Sequence, residues 1–317
     1  MTIDFKTYVP ESLNSPEQLP ISPAENEAWQ EANRSFWQSN PMRYDWNQDI
    51  EFEEFSEAFY KEIDRRFFSN VSEFMQWQRV PFDTLIDFDG LSLKDVLEIG
   101  VGNGSHAQLL ATHAKSFTGI DLTDYAVQST TQRMRAFNLR ADIRQMDAES
   151  LAFEDSTFDF IWSWGVIDHS ANTEQIVKEM HRVLKPGGSA ITMVYHRGWW
   201  NYYFCTGILL GLASGDLLKT RSIHKTVQRH TDGAFSRYYT PQTWRDLVER
   251  QGFRVEYIVV KGSKAEVFPI PGGKVKNFAM RCVPNWVTRF LTNQCRMGSF
   301  LIAKIIKYPP PAVDFYK

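Results

Sequence analysis

Between Lys94 and Tyr195, short apolar runs alternate with longer amphipathic stretches, the pattern of successive βαβ units and a mainly parallel sheet. The spacing predicts strands over Asp95–Ile99, Ser116–Ile120, Asp142–Met146, Phe158–Trp162 and Ser189–Tyr195. Helices are predicted after a glycine-rich turn, after Thr123 and after Thr173, the last stopped by Lys185-Pro186-Gly187-Gly188. Thr240 and Pro241 read as the cap and first turn of a further helix, and Phe253–Val260 and Phe300–Lys307 as two more strands. Upstream, Trp29, Phe36 and Trp37, then Phe52, Phe55, Phe59 and Ile63, recur at intervals that predict helices from Pro23 to Phe88. Residues 1–23 carry four prolines and no periodicity, an extended arm or a disordered start. The expected layout is an arm and helical cap over 1–93, then an α/β domain over 94–317 with insertions at about 196–239 and 262–298. Its fold class is a doubly wound, mainly parallel seven-stranded sheet with helices on both faces.

Composition narrows the function. A formal charge of -3 argues against a general nucleic-acid surface. Cys205, Cys282 and Cys295 form no CxxC pair, so neither a disulfide framework nor a zinc site is expected, and no cluster with metal-ligand spacing stands out. Met1 to Pro10 lacks the apolar core of a secretory signal, which makes the cytoplasm the expected location. Ile208–Leu218 is apolar but too short to cross a bilayer, and reads as a lid helix or a surface that touches lipid.

The strongest chemical signal is Asp95-Val96-Leu97-Glu98-Ile99-Gly100-Val101-Gly102-Asn103-Gly104-Ser105, a buried strand entering a glycine-rich turn and then a helix. Glycines here permit positive φ and close backbone approach to a nucleotide-like ligand. With Ser105 where a dinucleotide loop wants its third glycine, a pyrophosphate ligand is disfavoured. The segment resembles the class I S-adenosylmethionine-dependent methyltransferases, whose first motif places an acidic residue such as Glu98 before GxGxG. The resemblance extends to Gly119-Ile120-Asp121-Leu122, to Asp147-Ala148, to the fourth-strand segment Phe158–Gly165 and to His181–Gly188. It implies S-adenosylmethionine as cofactor, held by Glu98, Gly100, Gly102 and Gly104, with Asp121 on the ribose and Leu122 beside adenine. Asp147 and the Ala148 N–H would take the adenine edge and Ser163 the methionine half, with Tyr60 or Tyr44 of the cap covering that end. The family's last strand is antiparallel, and the same is implied here.

Methyl transfer needs a positioned nucleophile and, for a hydroxyl, a base. His169, directly after the fourth strand, and His196, after the fifth, are the candidate bases, with Asp168 able to orient His169 or to cap a helix. Trp199, Trp200, Tyr202, Tyr203 and Phe204 either wall an acceptor pocket or pack an insertion. The expected activity is methylation of an oxygen, nitrogen or carbon of a small molecule such as a natural product, quinone or lipid-linked sugar. The rivals are a nicotinamide oxidoreductase and a non-catalytic S-adenosylmethionine-binding module. Oligomeric state is not legible.

Overall fold

The computed structural model describes residues 10–45, 48–270 and 272–308. Strands β1 (Asp95–Ile99), β2 (Ser116–Asp121), β3 (Asp142–Gln145), β4 (Phe158–Trp164), β5 (Leu184–His196), β6 (Tyr238–Tyr239), β7 (Phe253–Lys261) and β8 (Phe300–Lys307) form one sheet. Its order is β3-β2-β1-β4-β5-β8-β7, with β6 paired to the end of β5. Strands β1 to β6 pair in parallel, and β8 runs antiparallel between β5 and β7. The strand order therefore reverses between β1 and β4, where such sheets open a ligand crevice at their carboxyl ends.

Alternate residues of the buried strands feed two apolar layers, as the two-residue repeat of a strand requires. On one face Leu97, Ile99 and Ile161 meet α5 (Thr173–Val183) and the helix Pro241–Arg250 through Ile176, Val177, Met180, Trp244 and Leu247. On the other, Val96, Phe160, Trp162 and Met193 meet Ala107 and Leu110 of α3 (Ser105–His113). The same layer takes Phe67, Val71 and Phe74 from α2 (Glu57–Phe74). Phe74 reaches Phe300 of β8, ring centroids 5.2 Å apart, so α2 is built into the sheet's second layer.

Local chemistry sets the helix starts. Thr123 caps α4 (Asp124–Ala136) by accepting the Ala126 N–H, and Asn172 caps α5 by accepting the Gln175 N–H. Ser22 caps α1 (Pro23–Ser39), with proline in its first turn. The second cap helix begins at Glu57, behind a Ser56 cap, not at the phenylalanine spacing that starts with Phe52. Phe52 is exposed and Phe55 has φ +67°, outside any helix. Residues 10–22 form a docked arm: Leu13 is fully buried with Trp29, Phe36 and Phe235, and the Pro16 carbonyl accepts the Tyr238 N–H. The arm before Pro10 and Trp46 of the cap loop lie outside the described residues.

Candidate active site

Beyond Ile99 the chain turns sharply: the Gly100 N–H donates to the Ile120 carbonyl (2.8 Å) and the Gly104 N–H to that of Val101 (2.8 Å). Gly100 and Gly102 differ in purpose. A Cβ on Gly100 would strike Val166 at 2.3 Å, whereas one on Gly102, at φ +53°, would meet nothing within 4 Å. The open side of Gly102 belongs to a cavity of about 740 Å³, within the range of small-molecule sites.

One end of the cavity is lined by Gly100, Gly102, Asp121, Leu122, Asp147 and Ala148. Asp121 Oδ1 accepts the Thr123 N–H (3.0 Å) and hydroxyl (2.9 Å), and Oδ2 accepts the Gly102 N–H (3.1 Å), leaving lone-pair room on Oδ2. Burial raises the Asp121 pKa against these bonds. Asp147 Oδ1 accepts the Glu149 N–H and the side-chain amide of Gln30, both at 2.8 Å, so α1 crosses this end of the crevice. No described residue accepts the Ala148 N–H.

Glu98 lies behind this wall. Its Oε2 has no hydrogen-bond partner among the described residues, and burial, with the Asp121 charge adding, holds its pKa far above the carboxylate range. His106 Nδ1 is 3.7 Å from Glu98 Oε1, and burial, which pushes the imidazole down to about 3, disfavours the charged form of both partners. Gly104 also faces away from the cavity, packed on Thr130 and Arg133.

The other end is largely apolar and aromatic, with Tyr44, Phe67, Phe74, Trp164, Met280 and Phe300 among its lining residues. Polar groups enter from the loop after β4, from Tyr195 at the end of β5 and from Asp232. His169 is buried; Nδ1 faces the Phe235 carbonyl (3.0 Å) and the Ser236 hydroxyl (2.9 Å), and its ring packs edge-on to Trp37 and Tyr195. A proton on Nδ1 satisfies that carbonyl and leaves Nε2 with the lone pair. Beside it the Tyr195 hydroxyl donates to both Asp232 carboxylate oxygens (2.7 and 2.8 Å).

The remaining expected site residues stand elsewhere. Asp168 is fully buried off the wall; Oδ2 accepts the Tyr195 N–H (3.1 Å), Oδ1 has no partner among the described residues, and burial lifts its pKa to about 6. It makes no hydrogen bond to His169, which Phe235 and Ser236 orient instead. His196 is turned to the Gly298 carbonyl (2.8 Å), away from the cavity, because the return of the chain to β8 covers it. Ser163 is buried within β4, its hydroxyl without a partner among the described residues. Tyr60 does not cover the site: its hydroxyl donates to the Ser129 carbonyl (2.6 Å) and its ring lies under Arg133, clamping α2 to α4. Tyr44 is the cap tyrosine on the wall.

Sequence reasoning passed over Gln30, Asn103, His106, Arg133, Tyr195 and Asp232. Asn103 donates to the Met42 carbonyl (2.8 Å), tying the glycine loop to the cap. Arg133, fully buried, donates to the Asn103 carbonyl (3.0 Å) and pairs with Asp64 of α2. Of these, Asn103, inside the glycine motif, and His106, one residue beyond it, carried a signal. The aromatic run after β5 packs its insertion: Trp200 donates to the Glu266 carbonyl (2.8 Å) and stacks on Phe204, Tyr202 meets His224 (2.9 Å), and none of Trp199–Phe204 lines the cavity.

The open side of Gly102, the Asp121 carboxylate and the unspent Ala148 N–H suit an adenosyl ligand with vicinal hydroxyls. Residues 97–192 match the family described as "Methyltransferase domain". A protein of Mycolicibacterium smegmatis named "Probable S-adenosylmethionine-dependent methyltransferase" is 37% identical over 95 residues, 30% of this chain and 35% of its own length. The "Ubiquinone biosynthesis O-methyltransferase" of Pseudomonas aeruginosa is 29% identical over 116 residues, 36% of this chain and 50% of its own. A solved S-adenosylmethionine-dependent methyltransferase from Methanosarcina mazei aligns with TM-score 0.48 and 19% identity, over 74% of this chain and 100% of that one. The chain thus spans a third to a half of the length of these two curated relatives. Residues 97–192, which hold the glycine loop and the strands on either side of the crevice, thus match a methyltransferase domain.

Proposed function

We propose that this chain transfers the methyl group of S-adenosylmethionine to a hydroxyl oxygen of an apolar, ring-bearing small molecule. The observation that carries the reading is a single cavity whose wall holds Gly102 and Asp121 together with His169, Tyr195, Asp232 and a set of aromatic side chains. The oxygen nucleophile is supported by the lone pair on His169 Nε2, and the matched Pseudomonas O-methyltransferase is consistent with it.

Asp121, Leu122, Asp147, the Ala148 N–H and the backbone of Gly100 and Gly102 would hold the cofactor, with Gln30 and Tyr44 above it. Bound S-adenosylmethionine supplies an electrophilic methyl on a sulfonium. His169 Nε2 accepts the acceptor's hydroxyl proton as the oxygen becomes nucleophilic, and the Phe235 carbonyl stabilises the resulting imidazolium through Nδ1–H. Asp232 fixes the Tyr195 ring against His169, while Phe67, Phe74 and Trp164 exclude water and grip an apolar acceptor.

The working unit in this reading is residues 94–317, with 1–93 as its arm and lid. A cytoplasmic setting is supported by three free cysteines, two of them exposed. Calorimetric titration with S-adenosylmethionine, S-adenosylhomocysteine and NAD tests the proposal. Binding of the first two alone is expected; binding of NAD alone would overturn it.

A further inference from the structure

Twelve of the sixteen large apolar side chains that stand exposed among the described residues come from residues 199–290. The most exposed group lies in the second insertion: Val275 is 75% exposed, Phe278 70%, Trp286 69% and Phe290 55%. On the helix Lys274–Cys282 no residue is buried, and Val275, Phe278 and Cys282 follow one another at helical spacing. An apolar stripe that would ordinarily face a core therefore faces out. This helix and the next, Asn285–Arg289, both pack on the turn Lys264–Val267, and Lys264 Nζ donates to Asn285 Oδ1 (2.8 Å). Trp199, also exposed, donates to the Cys295 carbonyl (3.1 Å) alongside.

Charge says what covers this surface. From Val267 to Ser299 there are five cations, Lys274, Lys276, Arg281, Arg289 and Arg296, and no aspartate or glutamate, in a chain whose formal charge is -3. Among the described residues none of the five is in an ion pair. A second copy docked about a two-fold axis would set these cations against themselves. A layer of anionic headgroups would neutralise them while taking the tryptophan and phenylalanine side chains to interfacial depth.

We propose that residues 272–299 form a docking face for an anionic lipid surface. Contact is peripheral, since among the described residues no helix is long and apolar enough to cross a membrane. Met280, on the same helix, lines the cavity with Ser263 and Ala265, so docking sets the acceptor end of the cavity beside the lipid. That an acceptor dissolved in lipid enters there rests on the methyltransferase reading; the docking itself does not.

Sedimentation of the full chain with vesicles of equal parts phosphatidylcholine and phosphatidylglycerol, and with phosphatidylcholine alone, tests the face. Binding to the mixed vesicles is expected, falling as salt is raised. Lys274→Gln with Arg281→Gln should weaken it on the order of thirtyfold, and Phe278→Ser with Trp286→Ser should abolish it. None of the four residues lines the cavity, so each variant should bind S-adenosylhomocysteine as the parent does. Equal sedimentation of parent and variants, or none by the parent, would overturn the proposal. So would light scattering that finds a dimer dissolved by Phe278→Ser with Trp286→Ser, which would give the face to a second copy. A parent that sediments with the vesicles yet binds no S-adenosylhomocysteine would sink the methyltransferase reading and leave the docking standing.

Discussion

His169 Nδ1 and the carbonyl oxygen of Phe235 face each other at 3.0 Å across 66 residues of chain. In the proposed mechanism the contact determines which ring nitrogen acts on the acceptor. His169→Ala should cut turnover by roughly 10²- to 10⁴-fold while leaving S-adenosylhomocysteine affinity as it is, read by initial rates and calorimetry on one preparation. Unchanged turnover would remove His169 from the mechanism.

Tyr195 and Asp232 should govern acceptor placement rather than cofactor binding. Tyr195→Phe breaks a hydrogen bond to a carboxylate, a loss of about 1.5–3 kcal/mol, and should lower kcat/KM by roughly 10- to 100-fold with cofactor Kd unmoved. A parallel loss of cofactor affinity would place the pair at the other end of the cavity.

At the glycine loop, Asp121→Ala should weaken S-adenosylhomocysteine binding by about 10- to 100-fold, the worth of a charge-assisted hydrogen bond. Gly102→Val should be at least as damaging, because it forces a branched residue to φ +53° and fills the open side. Parent-like affinity in both would move the cofactor out of this crevice.

Arg133→Met deletes the pairing with Asp64 and the bond to the Asn103 carbonyl together. Urea unfolding should show a loss of about 3–5 kcal/mol, as for other broken buried pairs. A loss below about 1 kcal/mol would show that the α2 anchor is dispensable.

Asp168 gives stability a pH dependence of defined sign. Its ordinary pKa of 3.8 rises to about 6 on burial, so between those values the native state holds a proton that the unfolded chain has released. Its contribution is complete below the lower value and disappears as pH rises through the upper one, a change on the order of 3 kcal/mol. Urea midpoints at about pH 4 and about pH 7 should therefore differ less for Asp168→Asn than for the parent. An identical slope would mean that the Asp168 carboxyl does not titrate in this window.

The βαβ core was legible because its signals are local: an apolar strand, a glycine turn and a capped helix each fit within a few residues, as from Asp95 to His113. The two-residue strand Tyr238–Tyr239 has no period to read; it exists because β5 offers Tyr195 and His196 as partners. The surroundings of His169 and Tyr195 were illegible for a related reason. Phe235, Ser236 and Asp232 reach His169 and Tyr195 only after the excursion that follows β5 has folded back, Asp232 lying 37 residues beyond Tyr195, and no spacing in the chain encodes that return. His196 and Tyr60 have suitable chemistry at suitable places in the sequence, yet Gly298 and Ser129 engage them first.

The contact of Phe74 with Phe300 also bears on synthesis. Helix α2 leaves the ribosome early, but Phe67, Val71 and Phe74 pack against residues of α3, β4 and β8 that are made later. Until residue 300 has emerged, the cap has an apolar face and no complete floor. Helix α2 is thus translated before the residues that seat it, and in the interval its phenylalanines are surface for a chaperone to hold.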